Sequence, residues 1–171
     1  HGPIDLIGIA RSARANLSAG EVVQGGSTLS QQLAKTIFLK PDQTLKRKLQ
    51  EAVLARRLEK ALGKDAVLEL YLNRIFFGAN AYGLEAASEV YFGKSASQLT
   101  LAESALLAAL PKAPSRLAPT RDLAGAIARS HIVLARMREE GWITRQAELA
   151  AEKGPATIDG RAVMASTTVR T

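Results

Sequence analysis

Residues 44–78 read TLKRKLQEAVLARRLEKALGKDAVLELYLNRIFFG. Thr44 is a favoured N-cap residue, and no Gly or Pro interrupts the run until Gly63. Leu54, Ala55, Leu58 and Leu62 recur at helical spacing, which predicts a helix over 45–62 closed by Gly63. A second helix, over about 65–77, is apolar nearly all round and is expected to be central. Glu51 stands on the apolar stripe of the first helix, at three and four residues before Leu54 and Ala55. A carboxylate on such a stripe is costly unless it is paired or used. Arg47 and Lys48, one turn back, are within reach as partners. Two readings stay open at this point: a structural ion pair, or a carboxylate that helps hold a metal or a phosphorylated leaving group.

The flanks continue the helical pattern. Upstream, Asp5 caps a helix carrying Leu6, Ile9, Ala13 and Leu17, with Gly20 beyond its end. Ser27 or Thr28 caps a helix over 29–38, and Pro41 ends it. Downstream, 78–83 is a loop, followed by a short helix over 84–91. Thr100 with Glu103 forms a capping box for a helix over 101–110, stopped by Pro111. PKAPSRLAPT, 111–120, is a Pro-rich connector. Asp122 starts a helix to about 140, and Thr144 caps a last one to about 153. No strand pattern precedes the tail and no internal repeat is present, so the expected class is all-α.

Composition agrees and narrows the chemistry. The 171 residues are 47% hydrophobic but only 5% aromatic, which favours helices and excludes disorder. There is no cysteine, so there is no disulfide framework and no thiolate metal site. His1 and His131 are the only histidines, which argues against a His-rich metal centre and a Ser-His-Asp triad. No apolar run reaches the ~18 residues needed to span a bilayer. Net charge is +7, and eight of the ten Lys/Arg in residues 1–60 lie between Lys35 and Lys60. A local cationic surface of this kind suits an anionic partner, or is simply a solvated helix face. The chain opens at His1-Gly2-Pro3 and closes in a β-branched stretch, so it reads as an excerpt of a longer protein.

The stretch VQGGSTLSQQLAK, 23–35, is the other concentration of polar groups. On a helix, Thr28, Gln31, Gln32 and Lys35 share one face, while Leu29, Leu33 and Ile37 take another. Gly25-Gly26 allows close backbone approach, and a helix N-terminus offers N–H groups to a phosphate or pyrophosphate. The spacing of a P-loop is absent. The plainer alternative is an N-cap with a polar outer face. Glu69 and Asn73, four apart on the expected central helix, either brace a site or cap neighbouring helices. His131 reads as a packing residue.

Taken in order, GGSTLSQQ (25–32), RKLQE (47–51), KDAVLELYLN (64–73) and RSHIVL (129–134) resemble the glycosyltransferase family 51 domain of class A penicillin-binding proteins and monofunctional peptidoglycan glycosyltransferases. The resemblance covers about 1–153, leaving 154–171 as a tail or the start of a linker. It implies a lysozyme-like helical domain with a head and a smaller, membrane-dipping jaw. It also implies polymerisation of lipid II: an acceptor 4-hydroxyl attacks the anomeric carbon of a growing glycan, a β-1,4 bond forms and undecaprenyl pyrophosphate leaves. Carried over, Glu51 is the catalytic glutamate of the third motif, placed near the pyrophosphate and able to hold a divalent cation, Mg or Mn. Ser27, Thr28, Gln31, Gln32 and Lys35 are substrate-binding residues of the second motif, with Lys35 at the pyrophosphate. Arg47 and Lys48 are the basic pair of the third; Lys64, Glu69, Tyr71 and Asn73 belong to the fourth, and Arg129 to the fifth. The implied partners are lipid II, the growing glycan and the membrane surface, with a transpeptidase domain elsewhere in the parent chain and no nucleic acid. The implied location is the outer, periplasmic face of the bacterial cytoplasmic membrane, anchored by a segment absent from this sequence.

The sequence departs from the family pattern in several places. The first motif survives only as its end, with His1 as its histidine and Pro3 where glycine is usual. Its general-base glutamate is expected upstream of His1, so this excerpt is expected to be inactive alone. Gln43 stands where a pyrophosphate-binding arginine is often found, and Ser130 where a second arginine is usual. No Ser-x-x-Lys occurs, so the transpeptidase half is not in these residues. Two alternatives are a lysozyme-type hydrolase, for which a cationic pyrophosphate site has no use, and a basic nucleic-acid binder, which the scarcity of stacking aromatics disfavours.

Overall fold

The computed structural model describes residues 28–38, 45–154 and 156–159, the side chains of 45–47 excepted. The expected helix from Asp5 and the tail past 159 lie outside the described residues. The chain divides into two compact units, His1–Leu72 and Asn73–Thr171. The described residues form helices α1 (Leu29–Phe38), α2 (Leu45–Arg74), α3 (Leu84–Phe92), α4 (Leu101–Ala109), α5 (Leu123–Glu139) and α6 (Arg145–Lys153). Short helical turns, Ala96–Gln98, Leu110–Lys112 and Pro114–Leu117, join them. The all-α expectation holds: among the described residues the only β pairing is an isolated bridge between Phe76 and Tyr82.

In the first unit, α2 is two helices joined at Gly63, whose backbone (φ 80, ψ 167) is not helical. That region of φ/ψ space is open essentially to glycine alone. The helix boundary expected at Gly63 is therefore where the chain bends, although helical hydrogen bonding resumes at once. The expected central helix over 65–77 needs correction on two counts. It ends at Arg74, because Ile75–Phe77 are drawn into the bridge: the N–H of Gly83 donates to the Ile75 carbonyl at 2.9 Å. Nor is it apolar and buried all round. Val67 and Tyr71 form a single buried stripe, whereas Leu68 is 43% exposed and Glu69, Asn73 and Arg74 are exposed. Four-residue spacing of the buried pair is the signature of an amphipathic helix rather than a central one.

The second unit has its own core. Phe77, Ala81, Ala87, Tyr91, Leu106, Leu107, Leu110, Leu117 and Ala126 are buried together. Among the described residues, pairing of α4 with α5 is the most extensive helix contact. Gly78 makes the turn after Phe77 possible: at φ +85 a Cβ would meet the Pro114 carbonyl oxygen at 2.5 Å. The Tyr91 hydroxyl donates to the Phe77 carbonyl at 2.8 Å, and burial pushes its pKa up to about 12. The Pro-rich stretch is not a bare connector, since Leu117 and Ala118 are buried in it. Packing also continues past 153: Ala156 and Ile158 join the core, and the Asp159 N–H donates to the Tyr91 carbonyl at 2.8 Å.

Helix ends follow the sequence signals. The Thr100–Glu103 capping box forms in both directions, Asp122 caps α5 through the Gly125 N–H, and Thr144 caps α6 through the Ala147 N–H. Between α5 and α6, Glu148 is buried and bonded to both Arg138 and Arg145 at 2.7 Å. The Arg145 hydrogen bond and the two guanidinium charges outweigh burial and hold the Glu148 carboxyl below its ordinary range. A depressed carboxyl stabilises the fold above its unfolded pKa, and that contribution is lost as pH falls through the folded value. Glu148→Gln is therefore expected to unfold at a lower temperature than the wild type at pH 7. The gap should close as the pH falls through and below 4.5, the ordinary carboxyl value, as read by circular dichroism melts across pH. A second expectation concerns the bend. Gly63→Ala, which meets no neighbour within 4 Å, should cost about 1–3 kcal/mol from backbone strain alone, measured by denaturant unfolding.

Candidate functional site

The polar motif begins at the N-terminus of α1, where it closes on itself. The Thr28 hydroxyl accepts from the Gln31 N–H at 3.2 Å, and the Gln31 carbonyl oxygen Oε1 accepts from the Thr28 N–H at 3.0 Å. This is a capping box with glutamine in the place of glutamate. It settles which of the two expected caps operates for the described residues: Thr28 does, while Ser27 lies outside them. Gln31 is 1% exposed, and its Nε2 is buried with no hydrogen-bond partner among the described residues. Gln32 is half-buried and Lys35 exposed. The face that the helical wheel gathers is thus graded, from a buried amide to a solvated ammonium.

Two hydrogen bonds tie α1 to α2. Ser30, buried in α1, donates to a carboxylate oxygen of Glu59, and the Tyr71 hydroxyl donates to Gln32 Oε1 at 3.2 Å. One bond falls on each side of the Gly63 bend. Burial pushes the Tyr71 hydroxyl above its ordinary pKa range, so it stays protonated and able to donate.

Glu51 is 1% exposed although it is a carboxylate. Lys48, one turn earlier, bonds it at 2.8 Å with its ammonium part-exposed. A buried carboxylate is tolerated only with such a partner. Of the two cations expected near it, Lys48 is in place; the Arg47 side chain lies outside the described residues. The structure thus brings Glu51 and Lys48 together on α2, and Gln31, Gln32 and Lys35 together on α1, all in the first unit.

The remaining assigned residues are more scattered. Lys64 and Glu69 are exposed on the second half of α2. Asn73 and Arg129 belong to the second unit. Asn73 is exposed, and its backbone carbonyl lies so close to Gly83 that a Cβ there would meet it at 2.7 Å. Arg129, on α5, is half-buried, with its Nε buried and unbonded among the described residues. Beside it, Ser130 turns inward and donates to the Ile127 carbonyl at 2.8 Å. Ser130 is occupied structurally and cannot substitute for a guanidinium. The reading of Glu69 and Asn73 as buried polar groups is corrected by their exposure.

Among the described residues no group of three His, Cys, Asp or Glu is placed to hold a metal ion. Glu51 has an ammonium beside it rather than a second carboxylate. No step below passes through a metal ion. Sequence reasoning missed Ser30, Glu59 and the partner of Tyr71. Tyr71 carried a legible signal: it sits four residues after Val67 on the buried stripe, where a tyrosine needs somewhere to put its hydroxyl.

Comparison with known proteins gives this geometry its class. The Transglycosylase family matches residues 1–138, and the chain belongs to that family. It is 49% identical to penicillin-binding protein 1A of Aquifex aeolicus over 92% of this chain and 22% of that protein. It is 51% identical to penicillin-binding protein 1A of Escherichia coli over 85% of this chain and 17% of that one. The crystal structure of penicillin-binding protein 1A from Haemophilus influenzae superposes with a TM-score of 0.51 at 35% identity, covering 77% of this chain and 16% of that one. The chain therefore spans about a fifth of the length of these relatives.

The cap at Thr28 sets the start of α1 and so the position of both glutamines. Thr28→Ala should cost about 1 kcal/mol of stability, as the shift in the denaturant midpoint at constant slope, with the α1 amides losing exchange protection first.

Proposed function

We propose that this chain is a peptidoglycan glycosyltransferase domain that polymerises lipid II into β-1,4-linked glycan. The acceptor sugar's 4-hydroxyl gives its proton to a general-base carboxylate as its oxygen bonds to the donor's anomeric carbon. The anomeric C–O bond breaks, and its electron pair departs on undecaprenyl pyrophosphate. The observation that carries this reading is the buried Glu51, held by Lys48 in a chain matched by the Transglycosylase family over most of its length. A buried carboxylate with a cationic partner suits a group kept for use, and α1, in the same unit, carries amide and ammonium donors suited to an oxygen-rich ligand.

The division of labour follows from charge and exposure. The leaving group is a diphosphate, so charge accumulates there as the bond breaks, and cations aimed at it are worth most in the transition state. Lys35 is exposed and available to meet it; Lys48 is shared with Glu51. Thr28, Gln31 and Gln32 bind sugar or phosphate oxygens, with Ser27, Arg47, Lys64, Glu69, Asn73 and Arg129 as further contacts of the substrate. The substrate is lipid-linked, which fits a reaction at a membrane surface; the outer face of the cytoplasmic membrane is part of the same proposal. Among the described residues no helix is long and apolar enough to cross a membrane. A membrane anchor and a transpeptidase domain in the parent chain are part of the same proposal, supported by the likeness to penicillin-binding protein 1A.

The test is polymerisation of labelled lipid II by the full parent chain, followed by gel separation of glycan lengths. Glu51→Gln, nearly the same size, is expected to lower the rate by roughly a hundredfold or more while the helical circular-dichroism signal is kept. Polymerisation at the wild-type rate by that variant removes Glu51 from the chemistry.

A further inference from the structure

We propose that Tyr71 is a positioning residue that fixes the carboxamide of Gln32, so that Gln31 and Gln32 both turn N–H donors, rather than carbonyl oxygens, toward an oxygen-rich ligand. The inference rests on the glycosyltransferase reading and specifies how the α1 motif recognises its substrate.

A glutamine side chain ends in one acceptor and one donor group, and free rotation presents either. A site built for phosphate and sugar oxygens needs the donor end. In Gln31 the choice is made by the capping box: Oε1 is taken by the Thr28 N–H at 3.0 Å. Its Nε2 is left at the far end, buried and without an acceptor among the described residues. A buried donor without an acceptor is costly to maintain unless something supplies one. In Gln32 the same choice is made by a residue 39 positions away: the Tyr71 hydroxyl donates to Oε1 at 3.2 Å. Two adjacent glutamines thus have their carbonyl oxygens consumed by two unrelated donors, one from the backbone and one from a side chain. The Tyr71 ring is buried, which fixes the hydroxyl in place, and its raised pKa keeps it a donor. A phenylalanine at this position would fill the same space and remove the hydroxyl's hold on Gln32 Oε1.

Ser30 provides an internal control, because its bond to Glu59 also joins α1 to α2 but touches neither glutamine. The test measures KM and kcat for lipid II with the parent chain carrying Tyr71→Phe, Gln32→Ala, Ser30→Ala and the two pairs that include Gln32→Ala. Tyr71→Phe is expected to raise KM about fivefold, the loss of one hydrogen bond, with kcat changed less than KM. It should add nothing once Gln32 is alanine. Ser30→Ala, acting only through helix docking, should multiply with Gln32→Ala. Gln32→Glu keeps an acceptor for Tyr71 but replaces the donor with an anionic oxygen, and should bind lipid II more weakly than Gln32→Ala. That variant decides the matter even where Tyr71→Phe fails to fold.

Multiplying effects of Tyr71→Phe and Gln32→Ala overturn the proposal. So does a Ser30→Ala effect that vanishes in the Gln32→Ala background, or wild-type affinity in Gln32→Glu. A wild-type chain that does not polymerise lipid II overturns the functional reading, and this one with it. A competent wild type with multiplying effects overturns only the role of Tyr71.

Discussion

A carboxylate cannot enter a protein interior without a cation or several donors to meet it. Glu51 is as buried as the leucines of the core, and its Lys48 partner comes from the previous turn of the same helix. The three-residue spacing means the pair is set by α2 alone, with no other element needed to bring it together. Most of the described contacts of the first unit involve this helix. Its first half carries the ion pair, its bend lies at Gly63, and its second half supplies Tyr71. The long α2 acts as a ruler against which α1 is held by Ser30–Glu59 and Gln32–Tyr71.

The polar residues of α1 divide into those spent on the fold and those left for a ligand. Thr28 and the carbonyl end of Gln31 cap the helix, and Ser30 anchors it. The amide N–H end of Gln31 has no partner among the described residues, and the Lys35 ammonium is exposed. A motif that looks in sequence like a single binding cluster is thus half scaffold. The scaffold half decides what the other half can offer.

Much of the fold was legible because its signals are local. Thr100 with Glu103, Asp122 and Thr144 each cap the helix their spacing announces, and Gly63 bends the chain where a helix end was expected. The fold was misread where a non-local contact overrode periodicity. Ile75–Phe77 continue the apolar pattern of α2, yet the pairing of Phe76 with Tyr82 withdraws them from the helix. Residues such as Leu68 made the helix over 65–77 look apolar all round, but composition does not say which side faces a neighbour, and Leu68 is exposed. In the site, Glu51 and its cation could be read from spacing within one helix. The Tyr71–Gln32 bond could not, because no short-range pattern links residues so far apart in the chain.

The return of 156–159 to the second unit changes how that unit is loaded. Ile158 packs against the core and Asp159 bonds to the Tyr91 carbonyl, whose hydroxyl is itself bonded to Phe77. Tension on the polypeptide beyond Asp159 would thus meet Tyr91 and the turn at Gly78 before it could fray α6 from its end. The segment behaves as a strain relief, like the clamp that keeps a pulled cable from reaching its solder joint.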